Sequence, residues 1–347
     1  MSLKEITRSL VASCAFLAAT MSFSLASNAI SLTYNSQFGS YGFENGQFSN
    51  PFAITSDSFG NILVGSQSRV QKFNSSGIYQ SQFGTNGSGN GQFNGYGSGP
   101  WDIGVDSAGN IFVADSYNYR VQKFDSSGNY LSQFTGGGNF NFPSGLDFDS
   151  SGNIFVTDLD NNRVQKFNSS GVYQSQFGTY GDGNGQIRNA FDVAIDSDGN
   201  ILVLDSNIKK YDRNGNYLSQ FGTGGSGDGQ IYSAVGFDVD SFGNTFIADR
   251  GNNRISVFDR NGVFLTNFGS VGTGNGQFND PARLVISHSK LYVTDRNNYR
   301  VQIFDINGAS GATPVPFDFS PNFGLLCVVV VVITKRLIKK KQNIKNE

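Results

Sequence analysis

Histidine is nearly missing from this chain of 347 residues, which holds one, His288. A zinc site built from several neutral imidazoles is therefore excluded. Cysteine occurs twice, as Cys14 and Cys327, both near the ends, so the long central segment has neither a disulfide nor a thiol nucleophile. Charge is sparse at 15%, and from Ser31 to Thr313 there are 17 Lys and Arg against 24 Asp and Glu. That acidic balance opposes binding that tracks nucleic-acid phosphates. Glu44 is the only glutamate in the central segment, which leaves aspartate as its acidic chemistry. Long apolar runs are confined to the two ends.

At the start, Lys4 and Arg8 precede an apolar run from Leu10 to Leu25 and small residues through Ala29. This is the order of an export signal, assigned to residues 1–29, with cleavage near Ala26 or Ala29. At the end, Pro314 to Pro321 leads into the apolar run Phe323 to Ile333, then Lys335, Arg336, Lys339, Lys340 and Lys341. Eleven apolar residues fall short of the roughly 17 to 25 of a full span. The basic cluster would keep the C-terminus on the cytoplasmic side and the central segment outside. This order of proline motif, apolar stretch and basic end resembles the PEP-CTERM class of bacterial sorting tails. Val315-Pro-Phe-Asp-Phe-Ser-Pro321 stands where that class has Pro-Glu-Pro. A plain C-terminal anchor is the alternative for residues 309–347. The expected location is extracellular or at the cell surface, with membrane contact through the tail unless it is processed.

What the chain does have is glycine, 44 of them, and a repeat. Aromatic anchors fall at Phe38, Phe83, Phe134, Phe177, Phe221 and Phe268, spaced by 45, 51, 43, 44 and 47 residues. Each is followed by a glycine-rich loop, an alternating strand, a tight turn and two more strands. The turn reads Asp-Ser-x-Gly-Asn at Asp57, Asp106, Asp149, Asp196 and Asp240, with Ser287-His288-Ser289 in the sixth unit. Periods of this length mean solenoids or propellers. Four short strands joined by tight turns make an antiparallel blade that cannot stand alone, so the blades must stack until a ring closes. The first unit begins with an outer strand, Leu32 to Phe38, and the sixth stops after its third, Arg300 to Phe304. The N-terminal strand should therefore complete the last blade.

The units resemble NHL repeats, most closely at Pro100-Trp101, Gly109-Asn110, Val113-Ala-Asp115, Asn118-Tyr-Arg-Val-Gln-Lys-Phe124 and Gly128, and again from Pro143 to Gly171. Blade one departs with Gly65 where Asp is expected. Blade four lacks three residues and the arginine before Tyr211. The resemblance implies an all-β, six-bladed β-propeller over residues 30–308. Nothing in the sequence points to oligomerisation, so a monomeric ring is the expectation.

Asp115 and Arg120, Asp158 and Arg163, Asp249 and Arg254, and Asp295 and Arg300 share one spacing, which suits a charge-assisted bridge across the turn between the second and third strands. Because the pair recurs, its role is read as structural. The glycine loops run from strand to strand, without the helix N-terminus that a phosphate cradle uses. They should share a face with these pairs and shape a partner surface through their unequal lengths. Asp196 to Asn200 and Asp158 to Asn162 look faintly like calcium loops but lack the bidentate glutamate, and are read as turn stabilisers.

Aligning the inner strands places Asp102, Asp147, Asp192 and Asp238 on four consecutive blades, facing the central channel, with Arg283 opposite. They are the candidate site for a cation, with Ca2+ the one considered, or for a basic ligand group. The alternative is that each carboxylate accepts backbone hydrogen bonds between blades. Trp101, the only tryptophan, is read as capping a pocket or packing on the next blade. Two function classes follow. The first is an exported interaction module for protein, peptide or glycan, without nucleic acid or resident cofactor. The second is a metal-dependent propeller hydrolase or lyase using the acidic channel, as in related propellers that carry a channel metal.

Overall fold

The computed structural model describes residues 30–94 and 99–308. The export signal over 1–29 and the tail over 309–347 lie outside the described residues. Among those described, no helix is long and apolar enough to cross a membrane.

Six four-stranded antiparallel sheets are present. Blade 2 is typical: Asp102–Val105, Ile111–Asp115, Arg120–Phe124 and Tyr130–Phe134, hydrogen-bonded in that order. The sixth blade takes Pro281–Ser287, Lys290–Asp295 and Arg300–Asn307 from the end of the repeat and Ser31–Phe38 from its beginning. Ser31 pairs with Asn307 and Phe38 with Val301, so the two ends of the repeat region close the ring in one sheet. That closure pairs the outer edge of Arg300–Asn307 and ties residues far apart in sequence.

The aromatic anchors explain themselves in the packing. Phe83, at the end of the outer strand of blade 1, meets Phe93 from the following loop at 6.3 Å and Phe124 of blade 2 at 4.8 Å. The same triad recurs as Phe38, Phe48 and Phe73 and as Phe134, Phe140 and Phe167. Each interblade seam is thus a separate apolar core. Fully burying each such ring contributes about 1.5–3 kcal/mol. Gly128 seals the seam: at φ +86° it adopts a left-handed turn, and a Cβ there would lie 2.6 Å from the Phe83 ring.

Tight turns are locked by aspartate. Asp106 accepts the N–H groups of Ala108 and Asn110 on Oδ1 and the Asn110 side chain on Oδ2. Asp196 makes the same bonds to Asp198 and Asn200, so its carboxylate is occupied in holding the turn.

Candidate functional site: an aspartate-lined channel and a clamped loop face

Two regions carry the residues of interest, one on the axis and one on the face formed by the glycine loops. On that face, Arg120 Nε donates to Asp115 Oδ2 at 2.8 Å while both are buried. Its Nη2 donates to the carbonyls of Gly89 and Gln92 in the preceding glycine loop. Asn118 and Gln122 donate to the same loop and to Asp115. The pair is a clamp that holds the loop, repeated as Arg163 with Asp158, Arg254 with Asp249 and Arg300 with Asp295 at 2.7–2.8 Å. Loop and clamp share a face, as the spacing predicted.

Blade 1 corrects one detail. Ser66, not Gly65, occupies the aspartate position, because Ser66 pairs with both Pro51 and Arg69 as Asp158 pairs with Pro143 and Arg163. Blade 4 replaces the arginine from a different position: Lys209 Nζ donates to Asp205 Oδ2 at 2.6 Å and to the carbonyl of Gln186 at 2.7 Å. The shortened turn there leaves Asn207 Oδ1 buried with no hydrogen-bond partner.

Inside five of the loops the backbone is fixed by a glutamine, Gln47, Gln92, Gln186, Gln230 or Gln277, while the loop before blade 3 has none. Gln92 Oε1 accepts the N–H of Gly89, and a Cβ on Gly87 would stand 2.3 Å from that same oxygen. Two positions in this frame vary most, and the first is occupied by Tyr41, Asn86, Tyr180, Gly224 and Val271, with Phe43, Ser88, Asp182, Ser226 and Thr273 two residues on. All five at the first position are exposed, with Tyr41 at 61%, Tyr180 at 63% and Val271 at 68%. This variable column was missed in the sequence, although aligning the loops on their Gly-x-Gly-Gln or Gly-Gln ends shows it.

The channel brings the predicted residues together only in part. Arg283 Nη1 reaches Asp192 at 2.6 Å and Asp102 at 3.3 Å, joining blades 6, 4 and 2, with Nη2 donating to the carbonyls of Ser144 and Phe191. Asp147 and Asp238 lie one level further along, half-buried on blades 3 and 5. All four carboxylates reach the next blade: Asp102 accepts the N–H of Leu146, Asp147 that of Ile195, Asp192 that of Phe237 and Asp238 that of Ile286, at 2.7–3.1 Å. Small residues alternate with them along each level. A Cβ on Gly145 would meet Asp192 Oδ1 at 2.5 Å, so the glycine leaves room for the neighbour's carboxylate.

Burial pushes the Asp102 carboxyl up to about 8 against the pull of Arg283, which sits closer to Asp192. Burial likewise raises Asp147 and Asp238 to about 7, although each accepts two backbone N–H bonds. Asp192 is also raised by burial. The carboxylates and Arg283 line a polar cavity of about 230 Å³ that reaches the hairpin side at Ser56 and Val285. Among the described residues, no group of three or more His, Cys, Asp or Glu is placed to hold a metal ion.

Trp101 does not line that cavity. Its ring packs on Phe52 at 4.8 Å and, nearly perpendicular, on Phe142 at 4.6 Å, with Nε1 buried and unpartnered. With Phe52, Phe191, Val235 and Ala282 it forms an apolar layer across the axis at the loop-face end. Of the two sequence readings, packing between blades describes it.

Six radial four-stranded blades with a closing clasp and a narrow axial channel define a six-bladed β-propeller. The NHL-repeat family model matches residues 98–124 and 140–167, in blades 2 and 3, so the chain carries NHL repeats. No curated protein matches it by sequence. Similar solved structures include a structural genomics protein of unknown function from Bacteroides thetaiotaomicron, at 14% identity and TM-score 0.63 over 80% of this chain and 76% of that one. An auxiliary nutrient binding protein from Bacteroides ovatus aligns at 14% and 0.60 over 79% and 77%. A catalytically inactive histidine-to-alanine virginiamycin B lyase from Staphylococcus aureus with quinupristin aligns at 14% and 0.53 over 80% and 88%. At these identities the likeness is one of fold.

Proposed function

We propose that the protein is an exported propeller that binds a protein, peptide or glycan on its glycine-loop face, held at the cell surface by its C-terminal segment unless that is removed. The observation that carries this reading is the variable, exposed column Tyr41, Asn86, Tyr180, Gly224 and Val271 set in a frame of clamped loops. A rigid scaffold that holds differing side chains toward solvent is the arrangement of a recognition surface. Exposed aromatics on such a face supply contact area at low entropic cost. The nutrient-binding propeller from Bacteroides ovatus supports a binding role by analogy of fold.

The test is binding of the full-length protein to arrays of glycans and peptides, beside a loop-face variant (Tyr41→Ser with Tyr180→Ser) and a channel variant (Asp147→Asn with Asp238→Asn). Loss in the first variant alone supports the reading. Loss in the second alone refutes it.

A second reading keeps the channel as a ligand site for Asp102, Asp147, Asp192, Asp238 and Arg283, with hydrolase or lyase chemistry. It is favoured by the cavity and by Arg283 Nε, which is buried and unpartnered. The lyase neighbour loses activity when a histidine becomes alanine. His288, the only histidine here, sits in the blade 6 hairpin with Nδ1 3.0 Å from Ser287 Oγ, off the channel lining. That placement weighs toward the binding reading.

A further inference from the structure

The departures from the repeat are not scattered. Several meet at the seam between blades 4 and 5, on the loop face. The turn of blade 4 is three residues shorter than that of blade 2, and no 3-10 turn follows its second strand. Blade 1 also has a short turn, but there Gly99 of the long connection packs against it, so closely that a Cβ would collide with the Gln67 carbonyl. Among the described residues the turn of blade 4 is left bordering a cavity instead, at Asp205 and Ser206. At the same seam the variable loop position is Gly224, whose Cβ would find open space within 4 Å. The result is a cavity of about 390 Å³, within the range of small-ligand sites.

Two further departures line it. The residue whose N–H binds the clamp aspartate is Asn94, Asn141 and Asn279 in blades 2, 3 and 6. In blades 4 and 5 it is Arg188 and Tyr232. Tyr232 lies against Gly251, where a Cβ would come within 2.3 Å of its ring, yet remains 60% exposed. It is a supported aromatic platform with an open side. Arg188 stands over the Tyr180 ring at 5.1 Å, and Arg250 borders the cavity on the other flank. Ser206 and Ser233 add hydroxyls.

We infer that this notch binds a carboxylate-bearing sugar residue of an acidic saccharide, an inference that rests on the loop face being the binding surface. An aromatic platform suits the apolar side of a pyranose, the serines suit its hydroxyls, and a planar guanidinium suits its carboxylate. Arg188 now pairs with Asp182, and both are well exposed. Exposed pairs of this kind contribute little, so the guanidinium can exchange that partner for a ligand carboxylate.

The experiment is calorimetric titration of the full-length protein with trigalacturonate, with the uncharged galactose trisaccharide and with a glutamate hexamer. Trigalacturonate is expected to bind at least about tenfold tighter than either control, a gap of about 1.4 kcal/mol. Arg188→Gln and Tyr232→Ala should each weaken it about tenfold. Gly224→Tyr, which gives this loop the tyrosine found at Tyr41 and Tyr180, should abolish binding while the melting temperature stays unchanged. Equal affinity for the neutral sugar or the peptide, no binding of trigalacturonate, or binding untouched by Gly224→Tyr overturns the inference. If trigalacturonate fails while array binding is still lost with Tyr41 and Tyr180, the notch assignment falls and the loop-face reading stands. If array binding survives every loop-face change, the reading itself falls.

Discussion

The clamp on the loop face and the lock in the channel are built from the same residue used in opposite ways. Asp115 and its equivalents take a guanidinium from their own blade and, through it, secure the loop that precedes that blade. Asp102, Asp147, Asp192 and Asp238 instead take an N–H from the next blade, and only two of them share a cation. The clamp fixes what the protein presents, while the lock fixes how its blades stand together. In both places the repeated aspartate bonds another part of the ring, and the partner says what it holds.

This contrast predicts unequal responses to losing the cation. Arg120→Ala strands the buried Asp115 carboxylate and frees the Gly89 loop, at a cost of about 3–5 kcal/mol, measured by urea unfolding. A loss below 1 kcal/mol would mean the clamp does not hold the blade. Arg283→Met removes the cation from two carboxylates that burial already disposes to hold a proton. The expected loss is about 1–3 kcal/mol, smaller at pH 5 than at pH 8, and equal losses at the two pH values would count against this.

The channel also sets a pH dependence. A carboxyl raised to about 7 when folded, as at Asp147 and Asp238, stays protonated while the unfolded chain ionises near its ordinary value. The unfolded state then binds fewer protons, so the stability these two groups contribute falls as pH climbs from about 4 through about 7, with Asp102 extending the fall to about 8. Replacing both with Asn should flatten the melting curve between pH 5 and pH 8 by a few degrees, which differential scanning calorimetry would show. An unchanged slope would remove these groups as its cause. The smallest stability effect belongs to Tyr180→Ser, within about 0.5 kcal/mol because the side chain is exposed, with its consequence confined to binding.

Much of this architecture was legible because it repeats. The anchors from Phe38 to Phe268 mark the seams, the Asp-Arg spacing marks the clamps, and the unequal first and last units mark the clasp. The channel was legible as a column of aspartates but not in its meaning, since one sequence does not show whether a carboxylate faces the lumen or the next blade. The alternating Gly104, Gly145 and Gly236 carried that information, as room for a neighbour. The notch at blade 4 was least legible. It arises from missing residues, and whether a short turn opens a cavity depends on the loop beside it, as Gly99 packs against the turn of blade 1 while that of blade 4 borders a cavity. Ser66 was misplaced by one position because blade 1 shortens the same turn.

The central claim is that the channel aspartates hold the ring together and that recognition takes place on the loop face. It is tested most directly by elemental analysis of the purified protein together with its thermal melting in the presence and absence of calcium. The account predicts no stoichiometric metal and an unchanged melting temperature. One calcium per chain that raises the melting temperature, and is lost when Asp102, Asp147, Asp192 and Asp238 become Asn, would contradict it and make the channel the site.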